Sequence, residues 1–183
     1  MISYKFLDKK GNILSEGASK KKQYTLENYY PNGKLSSKGD YKANVGYVGS
    51  WESFDEYGNP DYKYTYEEGL LEGKTEKFYA WGVREELKHF KKGELDGYYV
   101  KYYPHGQMKE QGYYEQGNLV GIWKNYYEDG TIKSEMPYFN GKLVGVTKEY
   151  TVEGKLDVTN TYDNGVIMGG TYYDSLGSQL NSF

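Results

Sequence analysis

Residues 117–141 read GNLVGIWKNYYEDGTIKSEMPYFNG, and 24 residues separate the glycine that opens this stretch from the one that closes it. From Gly141 the chain reads G-K-L-V-G and runs another 24 residues to Gly165. Stepping back by 24 lands on Gly93, in GELDG, and then on Gly69, in GLLEG. A fixed period of this length is the mark of a tandem repeat, each unit one small supersecondary element.

Counting the opening residue of each repeat as zero, the positions line up as columns. Position two holds Tyr47, Leu71, Leu95, Leu119, Leu143 and Ile167, and position four is Gly in every copy from Gly49 to Gly169. Position six holds Trp51, Thr75, Tyr99, Trp123 and Thr147. Position nine is always aromatic (Phe54, Phe78, Tyr102, Tyr126, Tyr150), as is position twenty-one (Tyr66, Phe90, Tyr114, Tyr138, Tyr162). Position thirteen is always Gly (Gly58, Gly82, Gly106, Gly130, Gly154) and follows polar pairs such as Glu128-Asp129. Such a Gly supplies the positive φ of a tight turn. Asn-Gly at 140–141 and 164–165 is a strong hairpin signal. Each unit therefore reads as two turns and two strands, near positions 5–10 and 15–22, filled by aromatic and β-branched residues. No segment keeps a 3.6-residue period, so little or no helix is expected.

The predicted fold is all-β, an elongated single-layer twisted array of antiparallel β-hairpin repeats. One hairpin is marginal in water, so the units must stack. Positions nine and twenty-one are read as the structural core. The chain reads as one repeat domain over 1–183. Residues 1–44 form degenerate N-terminal units or a cap, 45–165 five regular repeats, and 166–183 a C-terminal half-repeat cap. Residues 1–20 carry a hairpin pattern of their own.

Composition agrees with a thin structure. Only 37% of residues are hydrophobic and mean hydropathy is -0.90, yet 18% are aromatic, with 24 Tyr. Disordered chains are poor in aromatics. Tyr buries a flat ring while keeping its hydroxyl wet. With no Cys, disulfides and thiolate metal sites are excluded. No run approaches the ~18 apolar residues of a membrane-spanning helix. No leader is visible, so the expected compartment is cytoplasmic by default, or exported if Met1 replaces a removed signal peptide. Residues 1–44 hold nine Lys against four acids, a net +5, and the remainder is -8. That acidic body argues against nucleic acid, which needs clustered Lys and Arg. The run Lys20-Lys21-Lys22 reads as a solvated turn.

The column pattern G-x-L-x-G-x-W-x-x-Y-Y-x-x-G-x-[IL]-x-x-x-x-x-Y-x-x-G resembles the MORN-variant (MORN type 2) repeat of bacterial proteins, and looks most like the YwqK-type antitoxin group. The resemblance covers about 24–177 and is strongest over 69–165. It implies a binding scaffold and, through the antitoxin group, a toxin protein as partner. Related MORN repeats imply lipid headgroups or protein assembly. The resemblance brings no catalytic residue to any position here.

The residues themselves point the same way. His89 and His105 fall in different columns, so they read as surface or packing residues rather than a metal pair. Acidic pairs such as Glu85-Glu86 are expected by chance, and a glycosidase-type pair needs a pocket. No catalytic residue, metal site or cofactor is assigned. Position ten (Asp55, Tyr79, Tyr103, Tyr127, Thr151) neighbours nine and is expected on the other face. Tyr79, Tyr103 and Tyr127, with Trp81 nearby, form the candidate binding face, because Tyr and Trp build protein-binding hot spots. The alternative for this column is a second thin hydrophobic seam. The leading function is a non-enzymatic protein–protein interaction scaffold, in its sharper form an antitoxin or immunity protein. The alternative is a membrane-surface module using the lysines of 1–44, or a polysaccharide-binding module using the three tyrosines.

Overall fold

A computed structural model describes residues 2–7, 12–19 and 23–182. The Lys20–Lys22 run lies outside them. Every regular element among the described residues is a strand, and there is no helix. The chain separates into two compact units, 1–94 and 95–183.

In the first unit, β1 (Ile2–Leu7) and β2 (Ile13–Ser19) pair as a hairpin of their own. Then come β3 (Gln23–Tyr29), β4 (Leu35–Lys42), β5 (Gly46–Phe54), β6 (Pro60–Glu67), β7 (Leu70–Leu71), β8 (Gly73–Phe78) and β9 (Arg84–Lys91). The short β10 (Glu94–Leu95) spans the unit boundary. The second unit holds β11 (Gly97–Tyr102), β12 (Met108–Glu115), β13 (Asn118–Tyr126), β14 (Ile132–Phe139), β15 (Lys142–Leu143), β16 (Gly145–Tyr150), β17 (Leu156–Asp163), β18 (Val166–Tyr173) and β19 (Gln179–Ser182). Within each unit the antiparallel pairing follows chain order, hairpin after hairpin, and the sheet stays open.

Turn chemistry explains the register. From Gly69 on, the turn that opens each repeat has positive φ at both central residues, as at Asn140 (48°) and Gly141 (76°). That is the two-residue hairpin turn whose twist matches its strands. At the far turn, Gly130 N–H bonds the Tyr127 carbonyl while Tyr127 N–H bonds the Thr131 carbonyl. Successive repeats are also laced at the opening turns. Gly69, Gly93, Gly117, Gly141 and Gly165 donate their N–H to the position-two carbonyl of the repeat before, at 2.8–3.0 Å.

Strand alternation puts positions six and twenty-one on one face and positions five, seven and nine on the other. The covered column is position six: Trp51, Thr75, Tyr99, Trp123 and Thr147 are only 4–9% exposed. The aromatic residues of positions nine and twenty-one are all half-buried. Position twenty-one sits opposite position two, as in Tyr66↔Leu71, Tyr114↔Leu119, Tyr138↔Leu143 and Tyr162↔Ile167. Phe90 pairs with Gly73. Position nine closes the strand against position fifteen, as in Phe54↔Pro60, Phe78↔Arg84, Tyr102↔Met108, Tyr126↔Ile132 and Tyr150↔Leu156. In a single layer neither face is sealed, and no large side chain among the described residues is fully enclosed.

The two tryptophans of position six gain their cover from glycine. A Cβ on Gly39 would overlap the Trp51 indole, and one on Gly112 would overlap that of Trp123. Each indole lies flat on bare backbone of the neighbouring strand. Tyr99 stacks on Trp123 at 5.0 Å and Tyr114 meets it edge-on at 5.7 Å. Trp51 packs against Tyr47 at 4.4 Å and donates Nε1–H to the Asp40 carbonyl at 3.0 Å.

Candidate functional site

The position-ten tyrosines stand just past the strand ends, since β8, β11 and β13 stop at position nine. All three are half-buried. In the second unit, the Tyr103 hydroxyl donates to the Tyr126 carbonyl at 2.8 Å, and that of Tyr127 to the Tyr150 carbonyl at 2.7 Å. Tyr30 does the same to Phe54 in the first unit, at 2.8 Å. These hydroxyls stitch one repeat to the next at the far turns. Where the column holds Asp55, the carboxylate instead accepts N–H bonds from Tyr57 and Asn59 of its own turn. The Asn59 side-chain bond, above all, holds that carboxyl below its ordinary range.

Two residues on, the turn tip carries a ring that lies on the tyrosine. Trp81 stacks on Tyr79 at 5.0 Å, 2° from parallel, and His105 stacks on Tyr103 at 5.6 Å. His105 Nε2 also reaches the Glu128 carbonyl at 3.1 Å. His89 lies elsewhere, opposite Lys74 in the β8–β9 ladder. Trp81 is 62% exposed. Of the four candidate residues it presents the most surface, while Tyr103 and Tyr127 hold structure together.

A second surface is plain only in three dimensions. On the face of the second unit opposite Trp123, Tyr98 pairs with Tyr113 and Ile122 with Pro137. Val146 follows on β16. These are positions five and twenty. On the same face, toward the opening turns, lie Phe139, Val166 and Met168. The seven exposed residues of this set, leaving out half-buried Pro137, are 42–65% exposed. An apolar patch drawn from several strands of one face is what interaction sites look like.

The patch is bordered by a hydrogen-bonded polar seam at positions seven, nine and eighteen. The Tyr98 hydroxyl donates to Gln111 Oε1, and Gln111 Nε2 donates to the Tyr126 hydroxyl. Lys124 Nζ meets Glu135 at 2.9 Å, and the Tyr150 hydroxyl donates to the same carboxylate at 3.2 Å. The Lys124 bond leads in holding the Glu135 carboxyl below the ordinary range. Burial pushes the Tyr98 hydroxyl up, helped by Tyr126 and Tyr102. In the first unit the seam is ionic. Glu52 takes Lys38 at 3.1 Å and Lys63 at 3.7 Å, and Glu76 takes Lys74 and Arg84. Burial would raise the Glu76 carboxyl, but Lys74 and Arg84 outweigh it and hold it low.

The model of the MORN repeat variant family matches this chain at three places, residues 25–43, 95–116 and 119–140. No curated protein matches it. Among solved structures, a protein of unknown function from Bacteroides fragilis aligns with 86% of this chain and 88% of its own. The two are 10% identical and the TM-score is 0.16, a likeness that carries no argument about either molecule.

Proposed function

We propose that the chain is a non-enzymatic scaffold that binds another protein, and that the apolar face of 95–183 is its main contact. The carrying observation is that face: Tyr98, Tyr113, Ile122 and Val146 are exposed on a sheet whose Trp123 is covered on the other side. The matched repeat type is used generally to bind proteins or membranes. Tyr98 and Tyr113 supply large flat area at little entropic cost, as binding anchors do. Residues 95–183 hold seven Lys against eleven acids, a net -4, so a basic partner is favoured. The sharper reading is a toxin-neutralising immunity protein whose toxin is basic.

The test is a triple variant, Tyr113→Ser, Ile122→Ser and Val146→Ser, compared with the native chain in pull-downs from the native lysate. A stoichiometric partner held by the native chain and lost by the variant, at an unchanged melting temperature, supports the reading. Equal retention by both overturns it. Retention of anionic vesicles or polysaccharide in place of a protein moves the function to a membrane or glycan surface.

A further inference from the structure

The register lays out the apolar face of 95–183 as a row. Tyr98 pairs with Tyr113, and Tyr113 in turn with Val120. Ile122 pairs with Pro137, whose carbonyl accepts the Val144 N–H at 3.0 Å. Val146 follows two residues on, in β16. The row therefore crosses β11, β12, β13, β14 and β16 rather than following any one strand. Four strand spacings of ~4.8 Å make it about 19 Å long.

The backbone limits what can lie along such a row. β12, β13, β14 and β16 are each paired on both sides, so their ladders run within the sheet and offer nothing to a segment laid on the face. An extended segment there would bury its own N–H and C=O groups without partners. A helix brings its backbone bonds with it, and at 1.5 Å per residue about 13 residues cover the row. The border supplies the charge. On the opening-turn side of the same face, Glu115 sits opposite Asn118, Lys142 opposite Phe139 and Asp163 opposite Val166. Asp96 reaches the same turn as Glu115, its carboxylate accepting the Gln116 N–H at 3.2 Å. Glu115 and Asp163 are exposed, and neither has an ion pair among the described residues. On the far-turn side, Glu135 is already taken by Lys124 at 2.9 Å, with Lys148 opposite it in the ladder. The uncompensated acid therefore lies along the opening turns.

We infer that this face binds an amphipathic helix from a basic protein. The inference rests on the reading of the apolar face as the contact surface, and adds the form and orientation of what that surface takes. The helix lies across the strands, its apolar stripe on Tyr113, Ile122 and Val146. Its lysine or arginine stripe is turned to Asp96, Glu115 and Asp163. Long basic side chains suit this border, because their stems can cover Phe139 and Val166 while the charge reaches the carboxylates.

The experiment titrates the chain with a labelled peptide of about 14 residues, leucines at helical spacing and lysines along one side of them. A scrambled order of the same composition, and a version with Glu for Lys, serve for comparison. Fluorescence anisotropy at low salt reads affinity, and circular dichroism reads helix gained on binding. The patterned lysine peptide should bind tightest and gain helix. Glu115→Gln and Asp163→Asn should each lose about two- to five-fold, the range of an exposed ion pair. Glu128→Gln, the same charge change at a far turn, should bind as the native chain does. Ile122→Ser should lose about ten-fold, as an interface anchor does. Ile122→Val should restore most of that loss, which separates contact from folding. No binding of the patterned peptide, equal binding of the scrambled one, binding without a gain in helix, or an equal loss in Glu128→Gln overturns the inference. A lysate partner lost by the triple variant at 113, 122 and 146, while no peptide binds, removes the helix and leaves the apolar-face reading standing. A peptide bound equally by the native chain and the triple variant removes the face as its site.

Discussion

Residues 1–94 and 95–183 are built on one hairpin frame and present different surfaces. In the second unit, positions five and twenty hold Tyr98, Tyr113, Ile122, Pro137, Val146 and Thr161; in the first they hold Ser50, Thr65, Lys74 and His89. Position sixteen is lysine at 109 and 133 and acidic at 61, 85 and 157. The frame itself is kept by glycine turns, by position six, and by lacing at both turn ends. In a repeat sheet with no enclosed core, the columns that make the frame are few, and the rest are free to become surface chemistry. Tests of the comparison should therefore fall into two groups. Frame changes should cost stability in either unit, and surface changes should alter binding with little change in melting.

The largest effect is expected at the tryptophan–glycine contacts. Trp123→Ala should cost about 3 kcal/mol, at the low end for a buried aromatic because the site is open on one side. Gly112→Ala should cost about 1–3 kcal/mol by forcing the indole off the backbone. Gly39→Ala should do the same to Trp51. Urea denaturation of the three variants measures this. A Gly112→Ala protein as stable as the native chain would mean that the indole is not seated on backbone.

Next comes the lacing at the far turns. Tyr103→Phe and Tyr127→Phe each remove one hydroxyl-to-carbonyl bond, and each should cost about 1 kcal/mol. Trp81→Ala, on the exposed tip, should cost less than either. Melting curves that rank Trp81→Ala above both tyrosine variants would reverse the division drawn here between lacing and display.

The repeat period and the limits of each repeat's second strand were legible in the sequence, whereas the first strand begins at position one or four rather than five. Strands at positions 15–22 are found at those limits in β6, β9, β12, β14 and β17. The first strand of each repeat ends at position nine rather than ten, because position ten already serves the turn through its backbone N–H. The covered column was harder to read. Position six mixes Trp, Tyr and Thr, and its burial depends on glycines eleven or twelve residues away, Gly39 and Gly112. Aromatic content alone draws attention to positions nine and twenty-one instead. The apolar face was not legible at all as a unit. Tyr113 and Ile122 belong to different strands, and only the cross-strand register makes one surface of them.

The opening turns offer a smaller test that sets one turn against another. Asn44, Asn140 and Asn164 hold the positive φ at some of them, while Glu68 and Lys92, both at 50°, and Gln116, at 48°, must do so with long side chains. Asn tolerates this region better than a long side chain. Glu68→Asn and Lys92→Asn should each stabilise the protein by a few tenths of a kcal/mol to about 1 kcal/mol. The reverse change, Asn140→Glu, should destabilise it by a similar amount in chemical denaturation. No gain at either site would show that the strain is relieved locally, as the 2.7 Å bond from Lys92 N–H to Glu72 could do.

The smallest effect is a pH dependence, expected in both units for different reasons. Glu135 is held low first by the Lys124 bond, and Glu76 is held low by Lys74 and Arg84 in spite of burial. A carboxylate whose folded pKa is depressed contributes stability above its unfolded pKa, about 4.3 for Glu. That contribution is lost as pH falls through the lower, folded value. Both groups retain solvent contact, so each should be worth less than about 1 kcal/mol after screening. Stability should therefore hold level from pH 7 to about 5 and decline below about 4. In Glu135→Gln the decline should be shallower, and salt should flatten the native curve. A Glu135→Gln protein with the native acid profile would assign the decline to other carboxylates and leave the Lys124–Glu135–Tyr150 seam a matter of geometry rather than charge.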